Sequence, residues 1–182
     1  MKALIVIDMQ NDFISGALGN PETLAVLPKV CERVKSALND GTKLLYTLDT
    51  HGEDYLNTQE GRNLPVAHCI KGTWGHELAD ELKEIISDTA NTLAVEKCTF
   101  GSKELPERLS ELCGGVPEEI ELIGVCTDIC VISNAMLLKA FFPETRITVR
   151  ADSCAGTSAA AHDRALEAMK MCQIEVVQEE ML

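Results

Sequence analysis

Ala3 to Ile7 form an unbroken apolar run, and the next residue is a carboxylate, Asp8. A strand with one face in water alternates apolar and polar residues. A strand that is apolar at every position has both faces covered, as in a parallel sheet sandwiched between helices. The rest of the chain repeats the theme. Strand-like segments at Lys43–Asp49, Asn91–Glu96, Glu119–Gly124, Arg146–Ala151 and Ile174–Val177 alternate with segments of helical periodicity. The helical segments are Leu24–Leu38, His76–Ile86, Leu105–Leu112, Asp128–Phe142 and Ser158–Met171, with Pro143 stopping the fourth. Gly52–Thr73 is long, polar and without a convincing period. Alternation of this kind implies right-handed parallel crossovers. The expected fold is α/β: a three-layer α/β/α arrangement with a mostly parallel, doubly wound sheet of about six strands. Residues 1–182 are expected to form one domain, since no linker, repeat or low-complexity tract interrupts them.

The charge balance excludes some partners. Sixteen basic against 29 acidic residues give a net charge of −13. A nucleic acid or an anionic membrane surface needs a basic face, so neither is an expected partner. No apolar run approaches the ~20 residues of a membrane-spanning helix. Met1-Lys2 leads directly into the apolar run, which is too short for a secretory core. The eight cysteines are scattered, with no CxxC pair or zinc-ribbon spacing. A cytoplasmic chain with reduced, mostly structural thiols is the expectation.

In open α/β sheets ligands bind beyond the carboxyl ends of the strands. The reactive residues that fall there are Asp8, Asp49 with His51, Lys97, and the segment Cys126–Cys130. Cys130 would lie in the first turn of a helix, where free N–H groups and the dipole favour a thiolate. The residues alone leave two readings of it open, a nucleophile or one more small buried apolar side chain. A cysteine nucleophile needs a base. Asp8 could serve in a dry cleft, with Lys97 stabilising the pair. The plainer alternatives are a turn cap for Asp8 and a solvated strand end for Lys97. Asp49, His51, Glu60 and His68 form a second constellation, whose carboxylate and imidazole donors suit a divalent metal. His76 is a competing ligand of lower rank, and His162, within a helix, reads as structural. Phe13 and Trp74 could line an apolar slot for a flat substrate, or simply pack in the core.

Several segments together resemble the isochorismatase-like cysteine hydrolase family, and within it the nicotinamidases. They are Ala3–Phe13, Asp49-Thr50-His51, His68-Cys69-Ile70-Lys71-Gly72-Thr73, Gly124-Val125-Cys126-Thr127-Asp128-Ile129-Cys130-Val131, and Asp152-Ser153-Cys154-Ala155 with His162. The resemblance implies Cys130 as nucleophile, Asp8 as proton shuttle and Lys97 as their electrostatic partner. It implies a cis peptide at Val125–Cys126, with the backbone N–H groups of Cys126 and Cys130 forming an oxyanion hole. It implies one divalent metal, zinc first and iron or manganese next, on Asp49, His51, Glu60 and His68. Asn57 stands near the place where some relatives carry a further histidine, so Glu60 fits the version with a later glutamate. The implied reaction is hydrolysis of nicotinamide to nicotinate and ammonia through a thioester on Cys130, with Phe13 packing on the ring. Three alternatives remain open: hydrolysis of another small amide or ureide, isochorismatase activity without a metal, and a non-enzymatic protein that binds a small molecule or senses oxidants through Cys130. Phe141-Phe142, ending the long apolar helix, fits either a homo-oligomer interface or a buried central helix.

Overall fold

The first strand, β1 (Lys2–Ile7), is buried at every position after Lys2, and the fold is built outward from it. The computed structural model describes residues 1–86 and 91–178; residues 87–90 and 179–182, which the expected domain span includes, lie outside the described residues. Beside β1 run β2 (Lys43–Asp49) and β4 (Glu119–Val125). The remaining strands are β3 (Thr92–Lys97), β5 (Arg146–Ala155) and β6 (Glu175–Val177). Among the described residues these form one six-stranded sheet in the order β3-β2-β1-β4-β5-β6. Every pairing is parallel.

Two apolar cores cover the two faces. On one lie α1 (Asn11–Ile14), α2 (Pro21–Asn39) and α4 (Asp80–Ile86); on the other lie α5 (Leu105–Cys113), α6 (Ile132–Phe141) and α7 (Ala159–Met171). The three-layer, doubly wound architecture expected from the alternation is what the chain adopts. The order reverses between β1 and β4, so their carboxyl ends open the crevice in which ligands bind in such sheets. The two strands meet closely there. Gly124 has φ +116°, and a Cβ on it would lie 2.2 Å from the Ile7 carbonyl oxygen.

Several elements differ from the periodicity. The α2 helix begins at Pro21, before the first periodic residue. Asn20 caps it reciprocally with Thr23, which satisfies free N–H groups at its start. The segment from His76 does not start a helix. Trp74–His76 is a single 3₁₀ turn, after which the Asn11 N–H bonds the Glu77 carbonyl and the Ala79 N–H bonds the Met9 carbonyl. That pairing with the loop after β1 holds residues 77–79 extended and delays α4 to Asp80. The segment after β4 opens with a wide π turn, Thr127–Val131, before α6 continues. The aperiodic Gly52–Thr73 contains a 3₁₀ turn, Tyr55–Asn57, and a short helix α3 (Gln59–Asn63). None of the helices among the described residues is long and apolar enough to cross a membrane.

Candidate active site

Asp8 follows β1 directly and is fully buried, with φ +48°. Its Oδ1 accepts the Thr47 hydroxyl at 2.6 Å, and the same hydroxyl oxygen accepts the Asp8 N–H at 3.2 Å. Lys97 ends β3 in register with Asp49 at the end of β2. Its Nζ lies 2.7 Å from Asp8 Oδ2, 3.2 Å from Asp49 Oδ1 and 3.6 Å from Cys130 Sγ. The Asp8 contact is a buried ion pair at hydrogen-bonding distance.

Burial sets the ionisation here. It pushes the Asp8 carboxyl up from its usual range, against the pull of Lys97. Burial alone would lower Lys97, but the charges of Asp8, Cys130 and Asp49 outweigh it and hold the ammonium protonated. The Cys130 thiol is pushed well above its usual value by burial first and by the Asp8 charge next. The easy ionisation expected from a helix start is opposed here, because burial and the Asp8 charge both raise the thiol.

A second group sits beside the first. Oδ2 of Asp49 is 2.9 Å from His51 Nε2 and 3.4 Å from His68 Nε2, and Oε1 of Glu60 is 3.8 Å from each imidazole. The four donor atoms all lie within 4.8 Å of one another. These separations match the edges of a polyhedron around an ion bound at ~2.0–2.2 Å, and two imidazoles with two carboxylates are a donor set for a divalent transition metal. The loop is folded to bring them together. The His51 N–H bonds the Cys69 carbonyl and the Lys71 N–H bonds the His51 carbonyl, which zips the loop's end onto its beginning. His68 Nδ1 is 2.8 Å from the Val66 carbonyl. A hydrogen there leaves Nε2 bare for a metal, as in many metal-bound histidines. Glu60 stands on α3, which is capped by the Thr58 hydroxyl. The two clusters share Asp49 and one cavity of about 340 Å³, lined by Phe13, Leu64, Phe100, Ile129, Cys126 and Cys130 among others. The Val125–Cys126 peptide, whose Cys126 lines the cavity, is cis.

The family profile for the isochorismatase domain matches residues 2–181. The chain belongs to the isochorismatase family. It is 31% identical over 175 residues to an isochorismatase-family protein of Bacillus subtilis, covering 91% of this chain and 92% of that one. It is 26% identical to the nicotinamidase/pyrazinamidase of Mycobacterium tuberculosis, over 97% of this chain and 98% of that one. Among solved structures, the pyrazinamidase of Pyrococcus horikoshii in complex with zinc superposes with a TM-score of 0.81 at 28% identity, over 97% of this chain and 98% of the other.

Within this family fold the nine residues singled out from sequence occupy one continuous region. Asp8, Lys97 and Cys130 are mutual neighbours, Asp49, His51, Glu60 and His68 form the metal-type group, and Phe13 and Cys126 line the cavity. Trp74 fits neither of its readings, being 53% exposed and absent from the cavity wall. His76 stands apart from the metal group, with Nε2 2.8 Å from the Thr50 hydroxyl. His162 supports the π turn through Thr127, at 2.8 Å. Sequence reasoning missed Tyr55, whose buried ring lies 4.7 Å from the His51 ring and 4.9 Å from that of His68. It also missed Gln10, whose side-chain amide clasps the backbone of Asp49 through both its N–H and its carbonyl. A buried glutamine just after a parallel strand was the available signal.

Proposed function

We propose that this isochorismatase-family chain is a cysteine amidohydrolase that converts nicotinamide to nicotinate and ammonia. The observation that carries the reading is the buried Asp8–Lys97–Cys130 cluster opening on the same apolar cavity as the Asp49, His51, Glu60 and His68 group. The nicotinamidase/pyrazinamidase relative supports the choice of substrate. The four-residue group favours it over an isochorismatase, for which a metal site has no evident use.

The chain's own residues account for the steps as follows. Asp8, raised toward neutrality by burial and so a stronger base than a solvated carboxylate, takes the proton of the Cys130 thiol. Lys97 stabilises the anion at either end of that transfer. The sulfur attacks the carboxamide carbon, and the N–H groups of Cys126 and Cys130 receive the oxyanion. A single donor of this type is worth ~3–4 kcal/mol of barrier. Asp8 then returns its proton to the departing ammonia and activates the water that hydrolyses the thioester. Phe13 packs against the ring. Asp49, His51, Glu60 and His68 would hold one divalent ion, zinc in our reading as in the Pyrococcus relative, which supplies a Lewis acid for the ring nitrogen. We read the whole chain as one cytoplasmic hydrolase domain acting on a small amide.

Ammonia release from nicotinamide is measured with the purified protein and with Cys130→Ala. Release by the first and not the second is expected. Equal rates would remove Cys130 from the chemistry, and no release by either would remove the substrate.

A further inference from the structure

Asn134 lies on α6, one turn beyond Cys130, and is fully buried. Its Nδ2 donates to the Cys130 carbonyl at 2.8 Å and to the Phe100 carbonyl at 3.1 Å. Its Oδ1 accepts the Ser102 N–H at 2.9 Å. Both amide hydrogens are thereby used. The three bonds tie the turn that carries Cys130 to both sides of Gly101. The loop lies close on α6, since a Cβ at Gly101 would come within 2.7 Å of Leu137 Cδ1. The same loop starts just after Lys97, and Phe100 lines the same cavity as Cys130. The Phe100 side chain is otherwise weakly held, at 44% exposure. A buried amide that satisfies backbone groups from two separate elements fixes their spacing, because releasing either leaves a buried polar group unpaired.

We propose that Asn134 is a positioning residue, holding the Phe100 wall and the Cys130 sulfur at one fixed separation so that a flat amide lies over the thiol. The inference rests on the amidase reading above. It predicts that Asn134 acts on substrate through Phe100. Removing the pair together should then cost no more in binding than removing Phe100 alone.

The test uses the intact chain with Asn134→Leu, Phe100→Ala and the double variant. Each single change is expected to raise KM for nicotinamide by roughly tenfold, the scale of losing one aromatic contact to the ring. The double variant is expected to match Phe100→Ala. KM effects that multiply in the double variant would overturn the proposal. So would an Asn134→Leu protein that melts lower with KM unchanged. Should Asn134→Leu not fold, Asn134→Ser takes its place in the same cycle. A second readout needs no turnover: Cys130 alkylation by iodoacetamide and by its bulkier N-phenyl amide, counted by mass spectrometry. The ratio of phenyl to plain rate should rise several-fold, and equally, in Asn134→Leu and Phe100→Ala, as the wall leaves the mouth. An unchanged ratio in Asn134→Leu overturns the proposal. Absence of ammonia release from the unaltered protein would instead remove the nicotinamide reading and leave this ratio as the deciding measurement.

Discussion

At Asp8, Lys97 and Cys130 two acids and one base share a volume from which water is excluded, and each sets the ionisation of the others. Asp8 holds the Cys130 thiol up, so its charge opposes the very thiolate it is proposed to generate. This yields a prediction that separates the two effects. In Asp8→Asn, Lys97 would face the sulfur without an opposing carboxylate, and the thiol should ionise at lower pH than before. Turnover should nonetheless fall by ~10²–10⁴, because the leaving ammonia has lost its acid. The pH profile of Cys130 alkylation, set beside kcat, checks this; a midpoint that moves up would contradict the electrostatics. Lys97→Met would leave Asp8 and Asp49 buried without their cation, and urea unfolding should show a loss of about 3–5 kcal/mol. At this scale the sequence was legible in the positions of the reactive groups, all at strand ends, and not in their ionisation. A helix start is visible in residue order, whereas the burial that raises the thiol comes from a core drawn from many elements distant in sequence.

The loop between β2 and α4 shows the same division one level up. Its donors could be named from Asp49, His51, Glu60 and His68, yet its residues show no period because its regular pieces, 3₁₀ turns and the five-residue α3, are too short to impose one. Order comes from the zipped ends at His51 and Cys69, from the Thr58 cap, and from Tyr55 set against both imidazoles with its hydroxyl on the Leu64 carbonyl. A metal binding only the folded loop would stabilise it by mass action. The purified chain is expected to carry about one divalent ion. Chelation should lower the thermal midpoint and raise KM. His68→Ala should carry little metal and show no further response to chelator. Elemental analysis with thermal melts reads both outcomes; full metal content in His68→Ala would exclude the imidazole from the donor set. The helix expected from His76 starts late, at Asp80, for a related reason. Its apolar spacing is real, but the first turn is taken by backbone bonds to the loop after β1, and such tertiary pairing overrides a local period.

For the whole molecule, parallel pairing could be read from β1 because an uninterrupted apolar strand needs cover on both faces. Which strands flank β1 could not, since periodicity carries no information about where a crossover lands. The half of the sheet beyond β1 is tied to α2 by a charge cluster that the sequence did not mark. The Glu121 carboxylate on β4 accepts two bonds from Arg33 of α2, at 2.8 and 3.0 Å, and one from Arg150 of β5 at 2.8 Å. Burial alone would raise Glu121, but the bonds and charges of these two arginines outweigh it and hold the carboxyl below its ordinary value. A carboxyl whose folded value is depressed binds its proton more readily in the unfolded chain. Its contribution to stability is therefore complete above the ordinary glutamate value, about 4.3, and drains away as pH falls through the folded value. Glu121→Gln keeps the shape and removes the charge. At neutral pH the variant should unfold about 1.5–3 kcal/mol more easily than the unaltered chain, the range for hydrogen bonds to charged groups. The gap between the two should begin to close near pH 4.3 and narrow steadily below it. The remaining carboxylates titrate alike in both proteins, so urea unfolding of the pair across pH isolates this one group. A gap of constant size from pH 7 to pH 3 would mean that the Glu121 charge makes no net contribution to holding α2 to β4 and β5.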